Sequence, residues 1–126
     1  MYLAPRKRSP FAVFASSPPA GVASYRLSVD SDATTGRTRG GLRITRGAVR
    51  DDTIGNTIYP GQLTNSTTRT ADFPYVDLTR YDSSGAVRDT GWTILEKVPA
   101  AATRPWRIYV DKDPAVNRVA FQVYDD

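Results

Sequence analysis

At 126 residues the chain is long enough for one domain, which buries about two-thirds of the surface exposed when unfolded. It contains no cysteine and no histidine, which excludes disulfides, thiolate chemistry, a Ser-His-Asp triad and the usual zinc ligand sets. The net charge is +4 and all of it lies in the first 29 residues, where Arg6, Lys7, Arg8 and Arg26 meet no acid. From Asp30 onward, 13 basic residues face 13 acidic ones.

Asp outnumbers Glu 12 to 1, and the good helix formers are scarce, whereas Thr, Val, Tyr and Ile are frequent alongside nine Gly and nine Pro. That balance suits strands joined by tight turns. The expectation is an all-β chain: an antiparallel sandwich or small barrel of about 6–8 strands with an extended N-terminal arm.

In chain order, residues 1–24 read as the arm and 25–126 as the sandwich body. The arm is basic at Arg6, Lys7 and Arg8, then apolar through Phe11, Ala12, Val13, Phe14 and Ala15, and is broken by Ser16, Ser17, Pro18 and Pro19. Its apolar run is about five residues, short of the roughly 7–15 of a secretory signal core. Two phenylalanines in a free tail are a liability, so the segment is expected to lie on a sheet of its own body or of a neighbour.

Period-two alternation then recurs along the body. Tyr25, Leu27 and Val29 oppose Arg26, Ser28 and Asp30, and a Gly-rich loop through Gly41 follows. Leu42 and Ile44 alternate with Arg43 and Thr45. Residues 51–74 are ambiguous: Thr57, Ile58 and Tyr59 allow a short strand, and Gln62 to Thr70 reads as an exposed loop. Val76 and Leu78 alternate with Asp77 and Thr79. The turn Asp82-Ser83-Ser84-Gly85 makes a hairpin of Tyr75–Tyr81 and Ala86–Val98, with Trp92, Ile94 and Val98 on one face interrupted by Glu96. Trp106, Ile108 and Val110 mark the next strand, Asp111 to Pro114 a turn, and Val119, Phe121 and Val123 the last. One apolar and one wet face per strand is the signature of antiparallel sheets.

The chemistry-bearing candidates are few. Asp30, Asp32 and Thr34 begin like a calcium loop, but Thr35 and Gly41 stand where glycine and an acid are needed. Asn65-Ser66-Thr67 matches a glycosylation acceptor, which has meaning only for a secreted chain. The aspartates allow many pairs in space, yet none sits beside an evident pocket former. The expectation is therefore no catalytic, metal or cofactor site and no enzyme. Trp92 and Trp106 read as core or as interface anchors.

Arg37, Arg39, Arg43, Arg46 and Arg50 form a denser basic stretch, with Asp51 and Asp52 beside it. They read either as outward strand residues paired with aspartates or as nucleic-acid contacts, with Tyr25 or Tyr59 stacking bases. The neutral body favours the first reading.

The Arg6-Lys7-Arg8 arm, the Ser/Pro linker at 16–19 and the strand-turn-strand body ending in Val119–Tyr124 resemble small virion proteins of tailed bacteriophages, of the capsid decoration or neck type. The resemblance implies a trimer or other homo-oligomer bound to major capsid subunits in the virion, with no membrane role and no functional residues to carry over. On this reading Arg6, Lys7, Arg8, Phe11, Val13 and Phe14 bind a protein partner. The alternative is a nucleic-acid-binding barrel using Arg37, Arg39, Arg43 and Arg46. A third class, a carbohydrate- or receptor-binding head, requires surface aromatics such as Tyr59, Tyr75, Tyr81 and Tyr109 to cluster.

Overall fold

The computed structural model describes Ala20, Gly21, Ser24, Arg26 and residues 40–125. The arm residues Arg6, Lys7, Arg8, Phe11, Val13 and Phe14 lie outside the described residues. So do Arg37, Arg39 and, apart from Arg26, the strand expected over 25–30.

Seven strands follow one another with no helix among the described residues: β1 (Leu42–Arg46), β2 (Arg50–Asp51), β3 (Asn56–Asn65), β4 (Tyr75–Tyr81), β5 (Val87–Ile94), β6 (Thr103–Asp111) and β7 (Arg118–Tyr124). They form two antiparallel sheets. In the first, β3 is central, with β6 along one side and β1 and β2 end to end along the other. In the second, β4 is central between β5 and β7. The sheets pack face to face, with β5 against β6 and β1 against β7. The all-β sandwich expected from composition and alternation is the observed fold.

The core is the inward phase of each strand: Leu42, Tyr59, Leu63, Val76, Leu78, Trp106, Ile108 and Val110, joined by Ala71, Leu95 and Val98 from the connections. Val119, Phe121 and Val123 close it from β7. Two glycines set how closely the layers approach. A Cβ on Gly61 would stand 2.2 Å from the Thr45 carbonyl oxygen and 2.3 Å from Trp106 Cζ2, so the indole lies flat on the β3 backbone only because that residue is glycine. A Cβ on Gly91 would stand 2.7 Å from Val110 Cγ1 and 2.8 Å from Ile108 Cγ2, so glycine there lets β5 close onto β6.

Three expectations are corrected. Of the segment Gln62 to Thr70 taken for a loop, Gln62 to Asn65 form the end of the ten-residue central strand β3, and 66–70 are loop as expected. Its Thr, Asn and Gln content misleads because Gln62 and Thr64 face outward while Leu63 and Asn65 are buried. Asn65 is fully buried, donating its amide to the carbonyls of Arg69 (2.8 Å) and Val98 (2.9 Å) and accepting from Thr67 N (3.0 Å). It pins the 66–71 connection from within and is not an accessible glycosylation acceptor. Trp92 and Ile94 do not share the face of Val98. Gly91 and Thr93 take the inward phase opposite Leu78 and Val76, which turns Trp92 outward at 64% exposure. Trp106, at 3% exposure, is core as expected.

The predicted Asp82 turn forms as read. Ser84 N and Ala86 N donate to Asp82 Oδ1, and Gly85 takes a φ of 85°. Asp52 organises the β2–β3 turn in the same way, accepting from Ile54 N and Asn56 N before Gly55 at φ 96°.

Candidate functional site

Strand phase sorts the predicted basic stretch onto different surfaces. Arg43 lies opposite Thr64, which lies opposite Thr103, and Arg50 lies opposite Ile58, which lies opposite Tyr109. These residues, with Arg107 opposite Pro60, make the outer face of the first sheet. Asp111 is the acid in the same phase of β6. The ion pairs among the described residues are Arg80–Asp89, Arg88–Asp113 and Lys112–Asp51, so Arg43, Arg50 and Arg107 have no carboxylate partner there. Ile58 is buried on this face, and Tyr109 beside it is 54% exposed.

Arg46 takes the opposite phase. It pairs across with Gly61 and sets its guanidinium over the Phe121 ring, 5.4 Å from the centroid. Together with Gly47, Val49, Tyr59, Pro60 and Phe121 it lines a cavity of about 240 Å³. That volume falls below the range usual for small-molecule sites. The expected base-stacking role of Tyr59 is ruled out by its place in the core, edge-on to Phe121 at 6.0 Å.

The outer face of the second sheet is a different surface. Its cross-strand rows are Ile94–Tyr75–Tyr124, Trp92–Asp77–Gln122, Thr90–Thr79–Ala120 and Val87–Tyr81–Arg118. Tyr75 and Tyr124 stack at 5.5 Å and 18°, and Tyr75 meets Trp92 at 6.4 Å. The Tyr124 hydroxyl donates to Asp77 Oδ2. Burial pushes the Asp77 carboxyl above the usual aspartate range, opposed by that hydrogen bond. At the other end Arg118 lies 3.9 Å above the centre of the Tyr81 ring. Of the four tyrosines named for a cluster, Tyr75 and Tyr81 therefore share this face with Trp92 and Tyr124, whereas Tyr59 is core and Tyr109 belongs to the other sheet.

Between the sheets sits a charged group that alternation alone flags, because Arg80 continues the inward phase of Val76 and Leu78. At 1% exposure it donates two hydrogen bonds to Asp89, its cross-strand neighbour, and a third to the Asp111 carbonyl at 2.6 Å. Asp89, followed by Tyr59, holds the guanidinium above its usual range against the cost of burial. Three acceptor contacts and a neighbour from each sheet make this an internal clamp. Glu96, expected to interrupt the face of Trp92, Ile94 and Val98, lies beyond the end of β5 and is exposed. Among the described residues no three Asp or Glu side chains converge to hold a metal ion.

No family model matches the chain, and no curated protein matches it. Among solved structures the chain is similar to a DUF1425 family member from Shewanella sp. pv-4, at 15% identity and a TM-score of 0.49. The match covers 68% of this chain and 78% of that one.

Proposed function

We propose that the chain is a non-enzymatic structural subunit of a large assembly, of the kind that capsid decoration proteins of tailed bacteriophages represent, with other virion subunits as partners. The observation that supports this reading is the outer face of the first sheet, which carries Arg43, Arg50 and Arg107 without described carboxylate partners, the last two near exposed Tyr109. Such a face suits an acidic protein surface. Its charges steer and orient the encounter, and the aromatic ring supplies contact area. The N-terminal arm adds Arg6, Lys7 and Arg8 with Phe11, Val13 and Phe14. Contacts this small become firm when many copies bind side by side.

Light scattering on the full chain and on a chain lacking residues 1–19 tests the reading. The full chain is expected to form a trimer or larger ring, and the shortened chain a folded monomer of near-normal thermal stability, because the observed core lies within Leu42 to Val123. A shortened chain that still assembles overturns it.

The same face favours one second reading, a nucleic-acid-binding module, because Arg107 joins Arg43 and Arg50 on it, with Tyr109 next to Arg50 and Arg107. Three phosphate contacts give a salt slope near −2.7, so this reading requires retention on a polyanion column at about 0.3 M salt, abolished in the triple variant R43A/R50A/R107A. Docking on protein predicts elution below that.

A further inference from the structure

The outer face of the second sheet plays no part in that reading, and its chemistry is of another kind. Across four rows it carries Tyr75, Tyr124, Trp92 and Tyr81, one amide, two threonines and one charge of each sign. Both charges are engaged on the face itself, Asp77 by the Tyr124 hydroxyl and Arg118 by the Tyr81 ring. The row Thr90–Thr79–Ala120 is the small one. It lies between the Trp92–Asp77–Gln122 row and the Tyr81–Arg118 row, which stand about 13 Å apart at the usual rise per residue, and Thr79 at its centre is buried. Trp92 is the most exposed ring on the face.

We infer that this face binds a neutral saccharide chain. A sugar ring has an apolar C–H face and an edge of hydroxyls, so it needs an aromatic plane beside fixed hydrogen-bonding groups. Here Trp92 supplies the plane, and Asp77, Gln122 and Thr90 stand in the same or the adjoining row. A neutral ligand matches a face whose two charges are already balanced. The other occupants fit less well. A polyanion meets Asp77 in the second row, and Arg118, the arginine of this face, is already held over the Tyr81 ring. A second copy laid face to face about a two-fold axis brings Asp77 and its mate into one desolvated patch, which like charges oppose.

The experiment is a titration of the full chain with maltohexaose, cellohexaose and chitohexaose, with dextran sulfate as the anionic control, followed by tryptophan fluorescence and amide chemical shifts. The expected result is a Kd at or below about 1 mM for at least one neutral hexaose. Shifts should be confined to 75–81, 87–94 and 118–124, and dextran sulfate should leave them unchanged. Trp92→Ala is expected to weaken binding about tenfold or more and Trp92→Phe to retain most of it. Because Trp92 is exposed, neither change threatens folding, which circular dichroism checks. R43A/R50A/R107A should bind the sugar as the parent does, which keeps this outcome separate from assembly. Three outcomes overturn the inference: no shift with any hexaose at about 10 mM, binding that survives Trp92→Ala, or a concentration-dependent dimer that Trp92→Ala dissolves.

Discussion

The two outer faces share one scaffold and treat charge in opposite ways. On the first sheet Arg43, Arg50 and Arg107 project without described carboxylate partners, whereas on the second every charge is tied to an aromatic neighbour. The contrast extends inward. The central strand of the second sheet buries Arg80 against Asp89, while the ion pair at the edge of the first, Lys112–Asp51, is exposed. Register decides the difference, because it sets which side chain a charge finds directly opposite.

Three measurements break or sharpen that contrast. The largest effect is expected at Gly61, where any Cβ collides with the Thr45 backbone and the Trp106 ring. Gly61→Ala should cost about 4 kcal/mol or more in urea denaturation, at the extreme for a single substitution. A small loss would mean that the first sheet is not packed as described. Next, Asp89→Ala leaves Arg80 buried without its carboxylate and should cost about 3–5 kcal/mol. Asp51→Ala removes an exposed partner and should leave the melting temperature close to the parent's. Equal losses at the two sites would erase the contrast.

The smallest effect is a pH dependence. The Asp77 carboxyl titrates higher folded than unfolded, so its contribution to stability falls as pH rises from the ordinary aspartate value through the raised one. Asp51, Asp52, Asp82 and Asp113 are held low by their partners, and their contributions fall instead as the solution is acidified. Asp77→Asn should therefore gain on the parent in melting temperature as pH rises between about 4 and 7. A difference that stays flat or shrinks would place Asp77 in water.

Much of the fold was legible because alternation needs only one buried face. Leu42/Ile44, Val76/Leu78, Trp106/Ile108/Val110 and Val119/Phe121/Val123 all fall on the inside as their period requires. It failed where a small or polar residue holds the inward place. Gly91 and Thr93 reverse the apparent phase of Trp92 and Ile94, and Asn65 is polar yet fully buried because it satisfies three groups of the next connection and the Val98 carbonyl. The aromatic face was half legible. Tyr75, Asp77, Thr79 and Tyr81 share one phase, and the Asp82 turn sets the register with β5. Their meeting with Tyr124 and Gln122, however, depends on which edge β7 takes, and local pattern carries no strand order.

Pro60 sits in the middle of the central strand, where proline is normally excluded. Its carbonyl accepts from Gly47 N at 2.8 Å, so the donor it lacks points to that same side, away from β6. There the neighbouring ladder parts into β1 and β2, five residues and two. An uninterrupted edge is a template on which foreign strands add and fibrils grow. One missing amide proton thus divides this margin into runs too short to seed such growth.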